Sequence, residues 1–423
     1  MVALFIGLVA CADVASIATG GSTVSLPTYG YFNVMAFGAK ADGSDDTAAF
    51  DKAIQAAADA GGGSVFMPVG TYTIRGTLDV ASNVALRGAN EYPFRSWGQP
   101  SGPAVGTTLL AYAGKGNASS EPFIMLHTNS GIRGFNVFYP GQEISLVPAV
   151  FPPCVRGSGD NIAVRDMLLV NPYWAVDFAT HACGRHLIDG LYGQPLALGI
   201  SIDQCYDIGR VRTVHFWPFW APLNSAAERW QHTNAVSLDL QRTDWEVVSD
   251  VFSFGYHIGL RLRRSSNGAC NGQFSNINFD DVDVGIDATE TQEFACIFSN
   301  LNIANAGDGQ TKVGIRGSSV GGSAKLTIRG GSFWGSLNAA AVWNNPGMLR
   351  ISDSTIHAWN KSNPALEVVG GRAMLMGNAF NDLVGVAIAV GAAADRVVIS
   401  SNELAGNTIT VENKLTVQTG NHA

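Results

Sequence analysis

Charged residues are scarce in this chain of 423 residues. They make up 14% of the sequence, where an ordinary soluble domain has about 25%, and the net charge is −8. There is no run of basic residues to attract nucleic acid. No apolar stretch reaches the roughly 20 residues of a membrane-spanning helix. The sequence therefore predicts neither a nucleic-acid partner nor a membrane span.

Cysteine is also sparse, and its spacing excludes the usual motifs. Five cysteines follow Cys11, namely Cys154, Cys183, Cys205, Cys270 and Cys296. An odd, scattered set without a CxxC pair argues against a zinc site or a redox motif. Buried thiols are the expected outcome, with one disulfide as the alternative in an exported protein.

Residues 1–25 read as a leader. The run "MVALFIGLVACADVASIATGG" is apolar and then small and polar, as in an export signal, although no Lys or Arg precedes it. The stretch "LVAC", ending at Cys11, is similar to a bacterial lipoprotein cleavage box. We therefore expect an exported bacterial protein, whether periplasmic, lipid-anchored or extracellular.

Glycine, by contrast, is abundant at 49 residues, and the chain repeats itself. "FSNINF" (274–279) recurs 24 residues later as "FSNLNI" (298–303). The same frame, with an apolar first position and Gly, Asp, Asn, Thr or Ser at the third, begins at residues 132, 164, 188, 211, 248, 328, 351, 375 and 399. A period near 24 with turn residues at a fixed offset is typical of a solenoid.

A leucine-rich repeat has a similar length but needs a Leu-rich consensus and a helical arm, and both are missing. The pattern favours an all-β fold, a right-handed parallel β-helix of about twelve rungs. Each rung would contribute three short strands, with equivalent residues about 4.8 Å apart in neighbouring rungs. We predict a single domain over residues 26–423.

A short helix is predicted where the solenoid begins. Asp45 or Asp46 can cap it, Phe50, Ile54 and Ala57 give it an apolar face, and Gly61–Gly63 end it. Such a helix would cover unpaired strands at the open end of the stack.

Residues 33–74, "NVMAFGAKADGSDDTAAFDKAIQAAADAGGGSVFMPVGTYTI", resemble the N-terminal module of the pectate-lyase-like β-helix superfamily. Its pattern is a "FGAKxDGxxDDT" turn, a short helix and "GGGxVxxPxGTY". The resemblance implies a carbohydrate-active protein, since this superfamily includes polysaccharide lyases, polygalacturonases and phage tailspikes. The Asn-Thr-Asp, Gly-His-Gly and Arg-Ile-Lys motifs of polygalacturonases are missing here, which argues against pectin as substrate.

Two turns are unusually long, residues 139–153 and 217–233, and both follow the repeated frame. Insertions in a solenoid collect on its binding face. Aromatic residues on this edge are candidate platforms for sugar rings: Trp174, Trp217, Trp220, Trp230 and Tyr256. The alternative, held equally for any one Trp, is a small aromatic core inside the loops.

The strand after these turns carries charge at its third position. Aligning the rungs predicts Arg156, Asp177, Asp203, Asp239 and Arg261 in one outward row. Three stacked carboxylates would raise one another's pKa unless a cation or a shared proton intervened. The alternative is ordinary exposed Asp–Arg pairing, which contributes little.

Two chemistries fit this row. In the favoured one, a glycoside hydrolase without a metal or other cofactor, Asp203 and Asp239 act as acid and as base or nucleophile, with Asp177 modulating them. Arg261, Arg156 and His257 would contact the polysaccharide or oligosaccharide substrate.

The alternative is a β-eliminating polysaccharide lyase acting on a uronic acid polymer. Here Asp177, Asp203 and Asp239 would hold Ca²⁺, and Arg261 or Arg263 would be the base. A third class is a non-catalytic glycan-binding adhesin. The chain ends at "TVQTGNHA" without the assembly domain of such adhesins, so an enzyme is favoured.

Overall fold

A computed structural model describes residues 30–92, 102, 104–305, 312–318, 322–381 and 385–422. The predicted leader, residues 1–25, lies outside this range. The first elements are β1 (Tyr31–Asn33), a 3₁₀ turn (Val34–Phe37), α1 (Thr47–Asp59), β2 (Gly63–Phe66), β3 (Gly70–Ile74), β4 (Leu78–Val80), β5 (Val84–Arg87), β6 (Thr107–Ala111), β7 (Ile124–His127), β8 (Gly131–Arg133) and β9 (Asn136–Phe138).

The middle of the chain has longer strands and the second helix. In order these are β10 (Pro153–Ser158), β11 (Ala163–Leu169), β12 (Trp174–Phe178), β13 (Leu187–Gly193), β14 (Leu198–Ile202), β15 (Arg210–Phe216), α2 (Ala226–Asn234), β16 (Val236–Leu240), β17 (Glu246–Phe254), β18 (Ile258–Leu262), β19 (Gly272–Asp280), β20 (Val284–Ala288) and β21 (Cys296–Asn305).

The last part continues the same pattern. It comprises β22 (Val313–Gly317), β23 (Lys325–Arg329), β24 (Ser332–Gly335), β25 (Ala339–Ser352), β26 (Thr355–His357), β27 (Leu366–Met376), β28 (Ala379–Asn381), β29 (Val386–Val390), β30 (Ala394–Ser400), β31 (Thr408–Val411) and β32 (Val417–Thr419).

These strands form three parallel stacks. Sheet A contains β1, β2, β5, β8, the first halves of β11, β13, β15, β17, β19 and β21, then β23, the second halves of β25 and β27, β30 and β32. Sheet B contains β3, β6, β9, the second halves of β11, β13, β15, β17, β19 and β21, then β24, β26 and β28. Sheet C contains β4, β7, β10, β12, β14, β16, β18, β20, β22, the first halves of β25 and β27, β29 and β31. Each rung passes from A through B to C, and the predicted parallel β-helix is confirmed.

The bend between sheets A and B explains the repeated frame. Its third position has a left-handed backbone in every copy: Gly134, Asp166, Gly190, Thr213, Asp250, Asn276, Asn300, Gly330, Asp353, Gly377 and Ser401. One left-handed residue turns the chain from one sheet into the next. Gly, Asn and Asp dominate this position because they tolerate that conformation best.

The core fills the space between the three sheets. Equivalent apolar side chains stack from rung to rung, as shown by Phe274 and Phe298, whose rings are parallel with centroids 4.4 Å apart. The five cysteines after Cys11 are all buried free thiols, and Cys270 Sγ lies 3.7 Å from Cys296 Sγ.

Helix α1 covers the N-terminal end of this core, as predicted. Asp45 Oδ1 accepts a hydrogen bond from the Thr47 amide at 3.0 Å, which satisfies the first turn. Phe50, Ile54 and Ala57 are buried, and the Phe50 ring packs edge-on against Tyr72 at 5.4 Å. The helix ends before Gly61–Gly63, which all have positive φ.

Helix α2 lies inside the long turn 217–233, which the sequence analysis treated only as an insertion. Ser225 caps it by accepting from the Glu228 amide at 3.2 Å, and Glu228 Oε2 accepts from the Asn224 amide at 2.8 Å. The Ser-x-x-Glu spacing, with Ser225 as N-cap, was the missed sequence signal, although Glu228 binds the amide one residue before that cap. In the range that the structure describes, no helix is long and apolar enough to cross a membrane.

Candidate active site

The charged row on sheet C exists, but its members differ from the predicted set. The strand register aligns Arg156, Asp177, Ser201, Asp239, Arg261, Asp287 and Arg316. The predicted place of Asp203 is wrong by two residues, because Ser201 pairs with both Asp177 and Asp239. Carboxylates in this row therefore alternate with arginine or serine instead of stacking on one another.

Asp239 sits at the centre of this row and is 1% exposed. Arg261 and Arg263 each donate two hydrogen bonds to its carboxylate, at 2.8 and 2.9 Å. Burial by itself raises the pKa of the Asp239 carboxyl, but these guanidinium groups lower it below its usual value. The expected mutual raising of carboxylate pKa values is therefore wrong for Asp239.

Asp177 and Asp203 are also fully engaged. Asp177 accepts from Arg156 at 2.7 Å and from the amides of Ala179 and Thr180. Asp203, in the turn after β14, accepts from the amides of Gln204 and Arg242 and from two side chains. Those two side chains are Ser265 at 3.0 Å and Asn267 at 2.9 Å.

These contacts disagree with two roles proposed for the row. Asp177 and Asp239 lie two rungs apart, about 10 Å, and bind different arginines, so they do not converge on a common Ca²⁺ position. Hydrogen bonding to Asp239 raises the pKa of Arg261, which is therefore unsuited to act as a base. The row instead resembles a set of buried carboxylates that hold partly exposed guanidinium groups in place.

Several predicted aromatic platforms form a loop core instead. Trp217, Phe219 and Trp220 pack together with Leu168 and Leu196, and Trp217 and Trp220 are 6% and 2% exposed. Tyr256 is fully buried and donates from its hydroxyl to the Pro195 carbonyl at 2.9 Å. Their predicted contact with substrate disagrees with this burial, because none of these rings presents a face to solvent.

Two of the predicted tryptophans remain accessible. Trp174 begins β12 and is half-buried, with its indole nitrogen donating to the Val176 carbonyl at 3.1 Å. Trp230 lies on α2, also half-buried, and its ring centroid is 6.0 Å from that of Tyr173. Tyr173 and Trp230, together with Trp174, which follows Tyr173 in the sequence at the start of β12, are called the aromatic patch.

Beside the aromatic patch lies a cluster of titratable groups, the histidine–carboxylate cluster. It comprises Glu228, His232, His257 and Asp283. His257 Nδ1 is 2.9 Å from Asp283 Oδ2, and His232 Nε2 is 3.5 Å from Asp283 Oδ1. Glu228 Oε1 lies 3.8 Å from His232 Nδ1. The carboxylate of Asp283 thus lies within 3.5 Å of the imidazoles of both His232 and His257.

The fold places this cluster at one edge of sheet C. His257 immediately precedes β18 and Asp283 immediately precedes β20, so adjacent rungs bring them together. His232 reaches them from α2. Although burial by itself raises the pKa of the Asp283 carboxyl, hydrogen bonds from His232 and His257 hold it well below its usual range.

The side chains remain open enough to meet a ligand. His257 is 36% exposed and Asp283 28%. Across the described residues, His257 Nε2 makes no hydrogen bond. An imidazole whose Nδ1–H is directed at a carboxylate and whose Nε2 is open is the arrangement of a general base.

A second acidic feature lies next to this cluster. Burial, followed by the nearby Asp281 charge, raises the pKa of the Asp280 carboxyl. Asp280 Oδ1 is buried and has no hydrogen-bond partner among the described residues. Asp281 pairs instead with Lys312. The sequence analysis identified His257 but missed Asp283, His232 and Glu228. For Asp283 the available signal was its position directly before a sheet C strand, equivalent to that of His257 one rung earlier.

The N-terminal quarter of the chain matches a known family. Residues 31–139 match the model described as rhamnogalacturonase A/epimerase, pectate lyase-like. This confirms the predicted resemblance to the pectate-lyase-like β-helix superfamily. The match includes α1 and the first rungs and stops before the histidine–carboxylate cluster.

Curated relatives match a shorter stretch. Mannuronan C5-epimerase AlgE3 of Azotobacter vinelandii is 50% identical over 66 residues, which is 14% of this chain and 4% of that protein. Alginate lyase 7 of the same organism is 47% identical over 66 residues, 14% of this chain and 8% of that protein. The chain thus covers only a small part of the curated relatives it matches.

Solved structures share the fold along most of the chain. Bacteriophage phi29 gene product 12 has a TM-score of 0.57 and 14% identity, covering 88% of this chain and 52% of that one. The GH87 α-1,3-glucanase of Streptomyces thermodiastaticus has a TM-score of 0.50 and 17% identity, covering 94% and 70%. At such identities the likeness shows the β-helix alone, while the relatives include carbohydrate-acting enzymes.

Proposed function

We propose that the chain is an enzyme that acts on an acidic polysaccharide by removing the proton at C5 of a uronate residue. The outcome is β-elimination or C5 epimerisation. The observation that carries this proposal is the shared carboxylate of Asp283, which lies 2.9 Å from His257 and 3.5 Å from His232. His257, whose Nδ1 faces this carboxylate, can take a proton on Nε2 and give it up again.

The steps assign each group a role. His257 Nε2 accepts the C5 proton, and the electron pair of the C5–H bond moves into the substrate carboxylate as an enolate. Asp283 stabilises the imidazolium that forms. In elimination the C4–O bond then breaks and the leaving oxygen takes the proton from the His257 imidazolium. In epimerisation water delivers a proton to the opposite face of C5, and the imidazolium loses its own proton to solvent.

The exposed charge beside this cluster supports an anionic substrate. The guanidinium groups of Arg261 and Arg263 are 30% and 36% exposed, whereas their partner Asp239 is 1% exposed. Arg316 is 41% exposed and its partner Asp287 12%. The guanidinium groups of these arginines thus lie along the outer face of sheet C, and the carboxylates that pair with them lie beneath. Mannuronan and alginate, which the short matching relatives are named for, are both uronate polymers.

The aromatic patch supports a polymer lying along the solenoid axis. Trp174 on β12 and His257 before β18 are separated by three rungs, about 14 Å. A chain whose reacting residue meets His257 would place neighbouring sugar rings over Trp174 and Trp230.

The test is deuterium incorporation. The purified chain is incubated in D₂O with mannuronan, alginate and polygalacturonate, and C5 deuterium is measured by NMR alongside the ultraviolet absorbance of unsaturated products. We expect either C5 deuterium or unsaturated product from at least one polymer, and loss of that signal in His257→Gln. Release of reducing ends without exchange or absorbance would contradict this proposal.

Hydrolysis is the second candidate, and one observation favours it. The pKa values of Asp280 and Asp283 are displaced in opposite directions, upward and downward, as a general acid and a base require. In that case Asp280 protonates the leaving oxygen and Asp283 activates water or attacks. Asp280→Asn would then abolish reducing-end release, whereas it would leave C5 exchange largely intact.

A further inference from the structure

Three residues of different chemistry meet inside the solenoid, far from any exposed edge. They are His186 before β13, Cys205 in the turn after β14, and Glu246 at the start of β17. One ligand-type atom from each, a His nitrogen, the thiol sulfur and a carboxylate oxygen, lie within 4.8 Å of one another. All three residues are buried.

The register explains why they meet. Leu187 pairs with Arg210, which pairs with Val247. The preceding residues, His186, Gly209 and Glu246, therefore occupy equivalent positions in three successive rungs. The middle position has no side chain, so the His186 ring reaches across that rung to Glu246, with Nε2 3.0 Å from Oε1.

Gly209 is needed for this contact. A Cβ placed there would collide with the His186 ring and with the Glu246 carboxylate. Cys205 comes from the same middle rung and brings its thiol to the gap that Gly209 leaves. The space between the outer two rungs is thus shared by an imidazole, a thiol and a carboxylate.

The hydrogen bonding around the three groups is incomplete. His186 Nδ1 lies 2.8 Å from the Cys183 carbonyl, which fixes the ring with Nε2 toward Glu246. Glu246 Oε2 is buried and has no hydrogen-bond partner in the described part of the chain. A buried carboxylate oxygen without a partner is costly, and a bound cation would satisfy it.

We propose that His186, Cys205 and Glu246 form a buried binding site for a zinc ion. Nitrogen, thiolate and carboxylate are the ligands that zinc uses in proteins, and the backbone carbonyl on Nδ1 is the usual support for a ligating histidine. A thiolate and a carboxylate together balance the charge of Zn²⁺, so the occupied site is neutral inside the core. Glu246 Oε2 is available to complete the coordination.

The distances suit this ion. Zinc bonds of about 2.0–2.3 Å place tetrahedral ligand atoms about 3.3–3.8 Å from one another. The observed 3.0 Å between His186 Nε2 and Glu246 Oε1 needs only a small opening, and the other separations, at most 4.8 Å, need a contraction of about 1 Å or less. All three residues are buried, so the ion is expected to enter during folding.

The proposed zinc site lies in the turns that lead from sheet C to sheet A, whereas the histidine–carboxylate cluster lies where the sheet C strands begin. The zinc site is therefore independent of the proposed reaction. Its role is to bind adjacent rungs to one another. The scattered cysteines argued against a zinc site in the sequence analysis, because the proposed ligands come from three rungs and no CxxC pair marks them.

The experiment measures metal directly on the full chain. The protein is produced in medium with zinc, passed over a chelating resin and analysed for metal. We expect about one zinc per chain in the wild type and in Cys154→Ser, a control in which another fully buried thiol is removed. We expect loss of zinc in Cys205→Ser and in His186→Gln.

Cobalt gives a second readout, which on the wild type does not depend on any variant folding. Protein produced with Co²⁺ in place of zinc should show a thiolate-to-cobalt charge-transfer band and the visible bands of tetrahedral Co²⁺. The band should survive in folded Cys270→Ser, because the Cys270–Cys296 pair is a separate place where two thiols lie close together. A wild type with neither zinc nor this band, or a band lost in Cys270→Ser that circular dichroism shows to be folded, would overturn the proposal.

Discussion

Arg261 and Asp239, on adjacent strands of sheet C, form a bidentate ion pair. Arg261 Nε donates to Oδ1 at 2.9 Å and Nη2 donates to Oδ2 at 2.8 Å, and Arg263 repeats both contacts at the same distances. A carboxylate that accepts four charge-assisted hydrogen bonds is stabilised in its ionised form. The role of Asp239 is therefore to stabilise the packing of neighbouring rungs and not to contact a substrate.

We predict that Asp239→Asn destabilises the fold and leaves the chemistry of folded molecules little changed. Removing one member of a buried ion pair costs about 3–5 kcal/mol, and the partial exposure of both guanidinium groups reduces this to about 2–4 kcal/mol. The measurement is the free energy of unfolding in urea together with activity per folded molecule. A folded, stable and inactive Asp239→Asn would restore the catalytic role first predicted for this residue.

The same pair predicts the acid response. Because the folded pKa of Asp239 lies below the ordinary 3.8, its stabilisation is present above that pH and is lost as pH falls toward the folded value. The unfolding free energy of the wild type should therefore fall more steeply below pH 3.8 than that of Asp239→Asn. Asp79→Asn, which removes a carboxylate that is 70% exposed, is the control and should keep the wild-type slope.

The solenoid could be predicted because one physical constraint recurs in every rung. The bend between sheets A and B needs a residue with a left-handed backbone conformation. Gly, Asn and Asp adopt this conformation most easily, so they recur in the sequence at a regular spacing. Asn276 and Asn300 are such positions, and the copies of the frame around them first revealed the repeat. Local backbone chemistry of this kind is readable without knowledge of contacts.

The candidate site could be predicted only in part, because its geometry depends on register and on loop packing. The alignment of rungs made from the sequence was wrong by two residues at β14. It therefore placed Asp203 at the position in the row that Ser201 occupies. Trp217 and Trp220 occur in the same turn as Trp230, and nothing in their spacing distinguishes rings that bury themselves from one that stays accessible. His257 and Asp283 are 26 residues apart, so only the stacking of rungs joins them.

We predict that His257→Gln lowers kcat by about 10²–10⁴-fold, the usual contribution of a general base. Asp283→Asn should reduce kcat by a smaller factor, because the imidazole remains but loses its orienting carboxylate. Initial rates on the active polymer measure both. The folded state should persist, since His257 is 36% exposed.

A matched control for this prediction exists on the same sheet. His127 and Asp79 form another histidine–carboxylate pair, with 2.7 Å between Nε2 and Oδ1, and His127 is 37% exposed. His127→Gln should leave kcat unchanged because β7, which ends at His127, lies five rungs from β18, which follows His257. Equal losses in His127→Gln and His257→Gln would show that the assay reports stability and not chemistry.

The tryptophans of the long turn should separate into two classes. Trp217→Ala removes a ring from a buried cluster and should cost about 3–5 kcal/mol of unfolding free energy. Trp230→Ala should leave stability nearly unchanged and raise KM roughly tenfold, equivalent to about 1.4 kcal/mol of binding. Trp245→Ala, at a ring that is 65% exposed and lies at the other end of the sheet C strands, should change neither quantity. If Trp230→Ala left KM at the wild-type value, the aromatic patch would have no part in binding sugar.

Thr213 is the residue that fits the left-handed bend worst, and replacing it should stabilise the protein. Its φ is 55°, a conformation that a β-branched side chain adopts only at a cost. Asn occupies the same position in the rungs of Asn276 and Asn300 with a φ of 53° and 55°. We expect Thr213→Asn to raise the unfolding free energy by about 0.5–1 kcal/mol.

Gly190→Ala, at the equivalent bend one rung earlier, should lower the unfolding free energy, because it places a Cβ where φ is 71° and Asp166 is close. Denaturant titration of the two variants beside the wild type measures both effects. Destabilisation by Thr213→Asn would mean that the threonine methyl and hydroxyl contribute more than the backbone strain they bring.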